Sequence, residues 1–402
     1  MAFRIAVSGL NAATASLDVA GNNIANSNTT GFKTARAQFS DVFATSNLGT
    51  ASDAIGQGVG LSSVAQQFNQ GNIAFTNNNL DLALNGKGFF VLEDVAGSRS
   101  YTRAGAFGVD DEGFVVNPTG QRLVAFQASA GAVSGAVGTL QLSTANINPQ
   151  ATTTMKVGVN LESTAVAPAA AFNPAIATSY NNSTSTTVFD SLGAEHLATV
   201  YFRKTGANQW DTHLRIDGDN AQTAATRTIT FDGSGALQTA MPLNYGAFTP
   251  TSGAGAFSMD FDFSGTTQLA SNFGVNTLNQ NGFATGQLNG VDVDQEGIVL
   301  ARFTNGQSQA QGQVALANFA NPQGLQAIGD TGWAETSSSG TALVGAPGTA
   351  SLGLMQSGAL EESNADLAEQ LVNVIVAQRN FQANAQMIQA EDEITQTIIN
   401  IR

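Results

Sequence analysis

Few residues in this chain have the types and spacing that could do chemistry. Its two histidines, His196 and His213, are the side chains that could exchange a proton near neutral pH. His213 stands two residues after Asp211, so a His–Asp dyad is one reading. A dyad needs a nucleophile to serve, and no G-x-S-x-G motif is present. Histidines seated on strands, at the surface or inside a barrel, are the simpler reading. The acidic run Asp292-Val-Asp294-Gln-Glu296-Gly297 resembles the start of a calcium loop. An EF-hand needs a bidentate Glu at its twelfth position, where this chain has Phe303, and a helix on each side. A hairpin turn accounts for the run better. Gly86-Lys87 is followed by Gly88, where a phosphate loop needs Ser or Thr, and no G-x-G-x-x-G occurs. Enzymatic function is unsupported, and neither cofactor nor metal is expected.

Composition narrows the class further. Charged residues make up 11% of the 402 residues, against roughly 25% in an average soluble domain. Neutral polar residues, glycine and alanine take their place. A net charge of −15 argues against nucleic acid or an anionic membrane as partner. With no cysteine, disulfides and thiolate metal sites are excluded. No apolar run approaches the length of a membrane-spanning helix, so membrane insertion is not expected. The opening MAFRIAVSGLNAATASLDVAG lacks the basic flank and apolar block of a signal peptide, so any export is expected to proceed without a cleaved one.

With no reactive constellation to position, the most ordered patterning lies at the two ends. Phe3, Leu10, Leu17 and Ile24 stand seven apart, and Ala6, Ala13 and Ala20 form the row three positions later. That spacing predicts a helix with an a/d seam, bulky on one row and small on the other. Asn22, Asn23, Asn26 and the run to Gly31 end it. From Ser363 onward the chain has neither proline nor glycine. There Leu367, Val374, Phe381 and Ile388 again stand seven apart, with Leu371 and Ala385 on a companion row and Met387, Ile394 and Ile401 drifting later. Ser363 with Asp366 reads as an N-terminal cap. Forty helical residues would span about 60 Å, long for a helix folded onto a small domain. The expectation is a helix–helix seam that other copies complete, through a head-to-tail contact that does not close into a ring.

Between the ends the pattern is β. LDLALNGKGFFVL (80–92) alternates and then turns apolar around two glycines. VDDEGFVV (109–116) and VDQEGIVL (293–300) form a weak repeat, an acidic turn ending in glycine between strand residues. TSTTVFDSL, HLATVYFRK and THLRIDG predict further strands, and TSSSGTALVGAPGTASLG reads as a linker. The fold class expected is mixed: long terminal α-helices pairing as a coiled-coil-like layer, with two nested mainly-β domains between them. The expected boundaries are 1–30 with 363–402 for a helical polymerisation core and 31–70 for a polar connector. An inner β-domain then comprises 71–145 with 285–358, and an inserted outer β-domain 146–284.

SGLNAATASLDVAGNNIANSNTTGFK (8–33) resembles the N-terminal signature of the bacterial flagellar rod and hook protein family, and NADLAEQLVNVIVAQRNFQANAQMI (364–388) is similar to its C-terminal one. QQFNQGNIAFTNNNLDLALNGKGFF, FDSLGAEHLATVYFRK and GQVALANFANPQGL point to the hook members. Ala20 and Ala365 stand where larger apolar residues are expected, and the inserted domain matches more loosely beyond FDSLG.

The resemblance implies a structural subunit that polymerises into a short curved tube between rod and filament, acting as a universal joint around an export channel. It implies self-association, contacts with the distal rod protein, the hook cap protein and the hook–filament junction proteins, and passage through the flagellar type III export apparatus to an extracellular position. It makes Phe39 and Phe43 candidates for a Phe-containing export signal. Gln378, Asn380, Gln382, Gln386 and Gln389, with Asn384, are polar candidates for facing the channel. A distal rod protein shares both terminal signatures and remains an alternative, as does a surface adhesin or glycan-binding β-protein that would need no assembly.

Overall fold

A computed structural model describes residues 2–42, 56–129, 131–218 and 225–400; Phe43 lies outside them. Helix α1 (Ala2–Ala25) opens the chain and helix α2 (Leu367–Asn400) closes it, with a mainly-β body between. At 1.5 Å per residue the 34 residues of α2 extend about 51 Å. Its cap differs from the one the sequence suggested. Asp366 Oδ1 accepts the N–H groups of Ala368 (2.8 Å) and Glu369 (3.3 Å), while Ser363 Oγ accepts that of Ala365. Asp366 is therefore the residue that satisfies the orphan donors, and Glu369 adds favourable charge to the first turn.

The chain divides into two compact units. The first comprises Met1–Thr144, Gly290–Ala301 and Gln309–Arg402; the second comprises Ala145–Asn289 and Arg302–Ser308. In the first, strand Phe89–Glu93 pairs antiparallel with Arg99–Thr102, Arg122–Ser129 and Leu316–Asn318. One side of this β-structure buries Leu84, Phe90, Leu92, Leu123 and Leu316, and the other buries Phe89, Val91, Tyr101, Phe319 and Trp333. The segment with linker composition, 336–353, is docked here. Leu343–Gly345 pairs with Leu316–Asn318, and Ser339 is fully buried with its hydroxyl donating to the carbonyl of Thr336. Ser/Thr/Gly content permits tight turns as readily as flexibility, so composition alone misleads there.

In the second unit a five-stranded sheet is built on Thr154–Glu162, which pairs with strands on both sides, parallel to Phe257–Asp262 and Thr267–Leu269 and antiparallel to Gly274–Gln280. A four-stranded antiparallel sheet runs Asn182–Phe189, Glu195–Gly206, Gln209–Ile216, Thr226–Thr230. Their shared core includes Trp210, Phe202, Phe261, Phe263 and Val157, none of them exposed.

One turn recurs through both units. Asp110 Oδ1 accepts the N–H groups of Glu112 and Phe114, and Asp294 Oδ1 accepts those of Glu296 and Ile298 in the same way. Gly113 and Gly297 follow at φ +87° and +76°, where a Cβ is strained. Asn117 with Gly120, Asp190 with Gly193 and Asp232 with Gly235 repeat the device. An Asx carboxyl or amide oxygen substitutes for the missing ladder partner and glycine supplies the left-handed residue.

Candidate functional site

The two helices pack against each other antiparallel. Asn23 Nδ2 donates to Gln370 Oε1 (3.1 Å) near one end, and a Cβ on Gly9 would fall against Asn384 near the other. Among the described side chains, those buried on α1 are Ala6, Ala13, Ala20 and Asn23, and those buried on α2 are Gln370 and Ala377. The alanine row is thus the inner one. Leu10, Leu17 and Ile24 are only half-buried, and Phe3 is 49% exposed. On α2 Gln370 and Ala377 are buried, and Val374, Asn384, Ala385 and Ile388 are half-buried. Leu371 is exposed in the single chain.

Large apolar side chains consequently point away from the pair. Leu367, Leu371, Val372, Ile375, Val376, Phe381, Met387, Ile394 and Ile399 are all exposed. By helical spacing Leu367, Leu371 and Ile375 share a face, which Gln378, Gln382, Gln386 and Gln389 continue toward the C-terminus. All four glutamines are exposed. Asn380 is exposed but stands on another side, bordering a cleft with Ser16, Asn23, Ala37 and Asn373. Phe39 lies on a two-stranded ribbon, Ala35–Asp41 with Val59–Gln66, opposite Leu61, and both residues are exposed.

Where α1 ends, the polar run 26–34 folds into a hydrogen-bonded junction. Asn26 Nδ2 donates to the carbonyl of Asn22, and Asn23 exchanges hydrogen bonds with the backbone of Ala35. Gly31 sits at φ +70°, with the backbone of Ala104 where a Cβ would be. Thr34 N–H donates to Asn364 Oδ1, and Asn364 Nδ2 donates to the carbonyls of Gln67 and Asn69.

Beneath this lies a charge cluster that sequence reasoning missed. Lys33 Nζ meets Glu361 Oε1 at 2.5 Å, and Arg103 Nη1 meets Glu361 Oε2 at 3.1 Å. The side chains of Lys33 and Glu361 are completely buried and that of Arg103 nearly so. Burial pushes the Lys33 ammonium below the usual lysine range, and Glu361 opposes that shift. The surplus positive charge is met by carbonyl oxygens of Asn69, for Lys33, and of Leu84 and Gly86, for Arg103. Lys33, Arg103 and Glu361 are far apart in the chain, so no local motif announces them; the scarcity of charge was the only cue.

The residues first considered for chemistry are spent on structure. Asp294 gives its oxygen to the backbone of its own turn. Gly86 N–H donates to Gln70 Oε1 and the Lys87 carbonyl accepts from Gly353. His213 lies flat on Phe172 with ring centroids 3.8 Å apart, its Nδ1 at 3.2 Å from Thr226 Oγ1. Asp211 instead accepts from Thr228, so the two form no hydrogen-bonded dyad. Burial lowers His213 to about 4. His196 is held between Asp217 (2.6 Å) and Asp190 (3.2 Å); burial disfavours its proton, but the two carboxylates outweigh that and raise its pKa. Among the described residues no three His, Asp or Glu side chains are grouped to hold a metal ion, and no helix is long and apolar enough to cross a membrane.

Comparison with known proteins fits an arrangement whose unusual surface is helical. The chain is 40% identical over 419 residues to the flagellar hook protein FlgE of Salmonella typhimurium, covering all of both sequences. It belongs to the flagellar hook protein family. A hook protein of Escherichia coli K12 is likewise 40% identical over 413 residues, again with full coverage of both. Family models match along most of the chain. They are a flagella basal body rod protein (residues 3–33), a flagellar hook protein FlgE/F/G D1 domain (83–162), a flagellar basal body protein FlaE D2 domain (160–283) and a flagellar basal body rod FlgEFG protein C-terminal region (356–401). The crystal structure of Helicobacter pylori flagellar hook protein FlgE2 shares the fold, with a TM-score of 0.56 at 13% identity, covering 72% of this chain and all of that one. Hook protein family membership makes this a structural component of the flagellum.

Proposed function

We propose that copies of this chain assemble through their terminal helices into the flagellar hook, a curved, flexible tube that transmits torque as a universal joint and encloses the export channel. The number of exposed large apolar residues on α2 carries this reading. A stable monomer rarely leaves so much apolar surface on one helix without a partner, and further copies of the helix pair are the partner that matches it. Leu367, Leu371, Phe381 and Ile394, with Phe3 on α1, form that outer surface. Gln378, Gln382, Gln386 and Gln389 suit a channel wall, where they would hold passing chains weakly. The remaining contacts, with the distal rod protein, hook cap and hook–filament junction proteins, follow from the position of a hook. So do export through the type III apparatus, with Phe39 as part of a signal, and an extracellular location. No catalytic role is assigned.

Assembly of the full chain, imaged by electron microscopy, tests the proposal against the chain lacking 1–25 and 370–402 and against Leu371→Asp. Leu371 is 54% exposed in the single chain, so its replacement should change monomer stability by no more than about 0.5 kcal/mol. The full chain should form curved tubes and the other two none. Normal tubes from Leu371→Asp would refute the role given to that face, and straight tubes from the full chain would favour a rod.

A further inference from the structure

Both ends of the chain reach the first unit's β-body at one carboxylate. Lys33 follows α1, Glu361 precedes α2, and Arg103 belongs to the body itself. Around Glu361 the backbones are pressed together. Gly31 N–H donates to the Glu361 carbonyl, Gly71 N–H donates to Glu361 Oε1 (2.9 Å), and Glu362 N–H donates to the carbonyl of Asn72. A Cβ on Gly71 would stand 2.1 Å from the carbonyl oxygen of Glu362. An apolar contact of this size would tolerate sliding. A buried carboxylate shared by two cations does not, because each donor must point at a fixed oxygen and every unpaired charge is costly.

We propose that Glu361 is a positioning residue for assembly: divided between Lys33 and Arg103, its carboxylate fixes the direction in which the two terminal helices leave the β-body, and with it the helical geometry of the polymer. The inference rests on the polymer reading above. It separates two jobs within one protein, contact between copies on the outer faces of the helices and orientation of those faces at an internal charge cluster. Nothing about Glu361 touches a neighbouring copy in this account; it acts through Lys33 and the segments around it.

Four full-length chains test it: the unmodified protein, Glu361→Gln, Lys33→Met and the double variant. Each is assembled and imaged for yield, rise, twist and curvature, with circular dichroism and tryptophan fluorescence reporting the fold of the unassembled chain. Glu361→Gln keeps the shape of the side chain but leaves two buried cations without an anion. It should lose tubes or form tubes of altered rise and twist. Lys33→Met combined with Glu361→Gln removes one of those cations and should recover part of the loss, a rescue that a merely space-filling role would not produce. Tubes of unchanged yield and geometry from Glu361→Gln would overturn the proposal. Should that chain not fold, Lys33→Met decides, because it retains a neutral Arg103–Glu361 pair. Altered geometry supports the proposal, and unchanged geometry overturns it. An unmodified chain that forms no tubes is a distinct result, which overturns the polymer reading and this inference with it.

Discussion

The second unit and the terminal helix pair use apolar residues in opposite ways. In the second unit Trp210, Phe202, Phe261 and Phe263 are inside a core that two sheets close from within one chain. In the helix pair the fully buried residues are alanine and amide, Ala6, Ala13, Ala20, Ala377, Asn23 and Gln370, and the large side chains are half-buried or exposed. The first arrangement is complete as a monomer. The second brings two helices close at small cost in side-chain volume and leaves large apolar side chains exposed. A domain that must hold its shape and a layer that must find neighbours have thus been written with the same residue types, placed on opposite sides.

The largest effect should come from breaking the self-sufficient side. Trp210→Ala opens a cavity and leaves Gln268 Oε1 without its indole donor. A loss of about 3–5 kcal/mol from the second unit is expected. Limited proteolysis within 145–289 should read it, while the fluorescence transition of Trp333, in the first unit, stays in place. A joint shift of both would show that the units do not unfold separately.

A smaller effect is expected where small residues are required. Ala13→Leu forces volume into the seam and should cost about 1–3 kcal/mol. Helical circular dichroism should fall and Trp333 fluorescence should hold. An unchanged helix signal would mean that the pair is not held by its alanine row.

The mildest test concerns pH, and it touches the second unit alone because both histidines lie there. His213 is lowered from 6.5 to about 4, so between those values the unfolded chain binds a proton that the folded chain refuses, and stability falls as pH drops. His196 is raised, so its contribution is complete below pH 6.5 and is lost as pH rises through the folded value. For these two groups stability therefore peaks near pH 6.5, with the acid limb worth on the order of 1–3 kcal/mol. Urea midpoints across pH should show this. His213→Gln should flatten the acid limb and His196→Gln the alkaline one; limbs that persist in both variants would place the titration elsewhere.

Local patterns were legible in the sequence and distant ones were not. The helices, the acidic hairpin turns and the strands around FDSLG are set by near neighbours, and each lies where its residues indicate. Ser363 and Asp366 both have oxygens that can cap a helix, and only the fold decides that the first-turn N–H groups of Ala368 and Glu369 meet Asp366. The seam shows a deeper limit. A seven-residue repeat states that a helix has rows to bury, not whether its own chain or another copy buries them. The alanine row of α1 lies inside the helix pair, while Leu10, Leu17 and Ile24 on the bulky row are half-buried and Phe3 is exposed. Lys33, Arg103 and Glu361 carry no local motif, since a buried ion cluster is a property of three segments and of no single one.

The recurring Asx–Gly turn has a practical consequence. Its first residue holds the loop from within, as Asp94 does for Ser98 and Asp190 for Leu192 and Ala194, so the side chains at the tip bear no strain. Val95 is 86% exposed and Leu192 63%, one in each unit. In a chain without cysteine, Val95→Cys and Leu192→Cys would each introduce a single thiol at a site the fold does not depend on. A pair of dyes attached there would follow the two units as the joint turns.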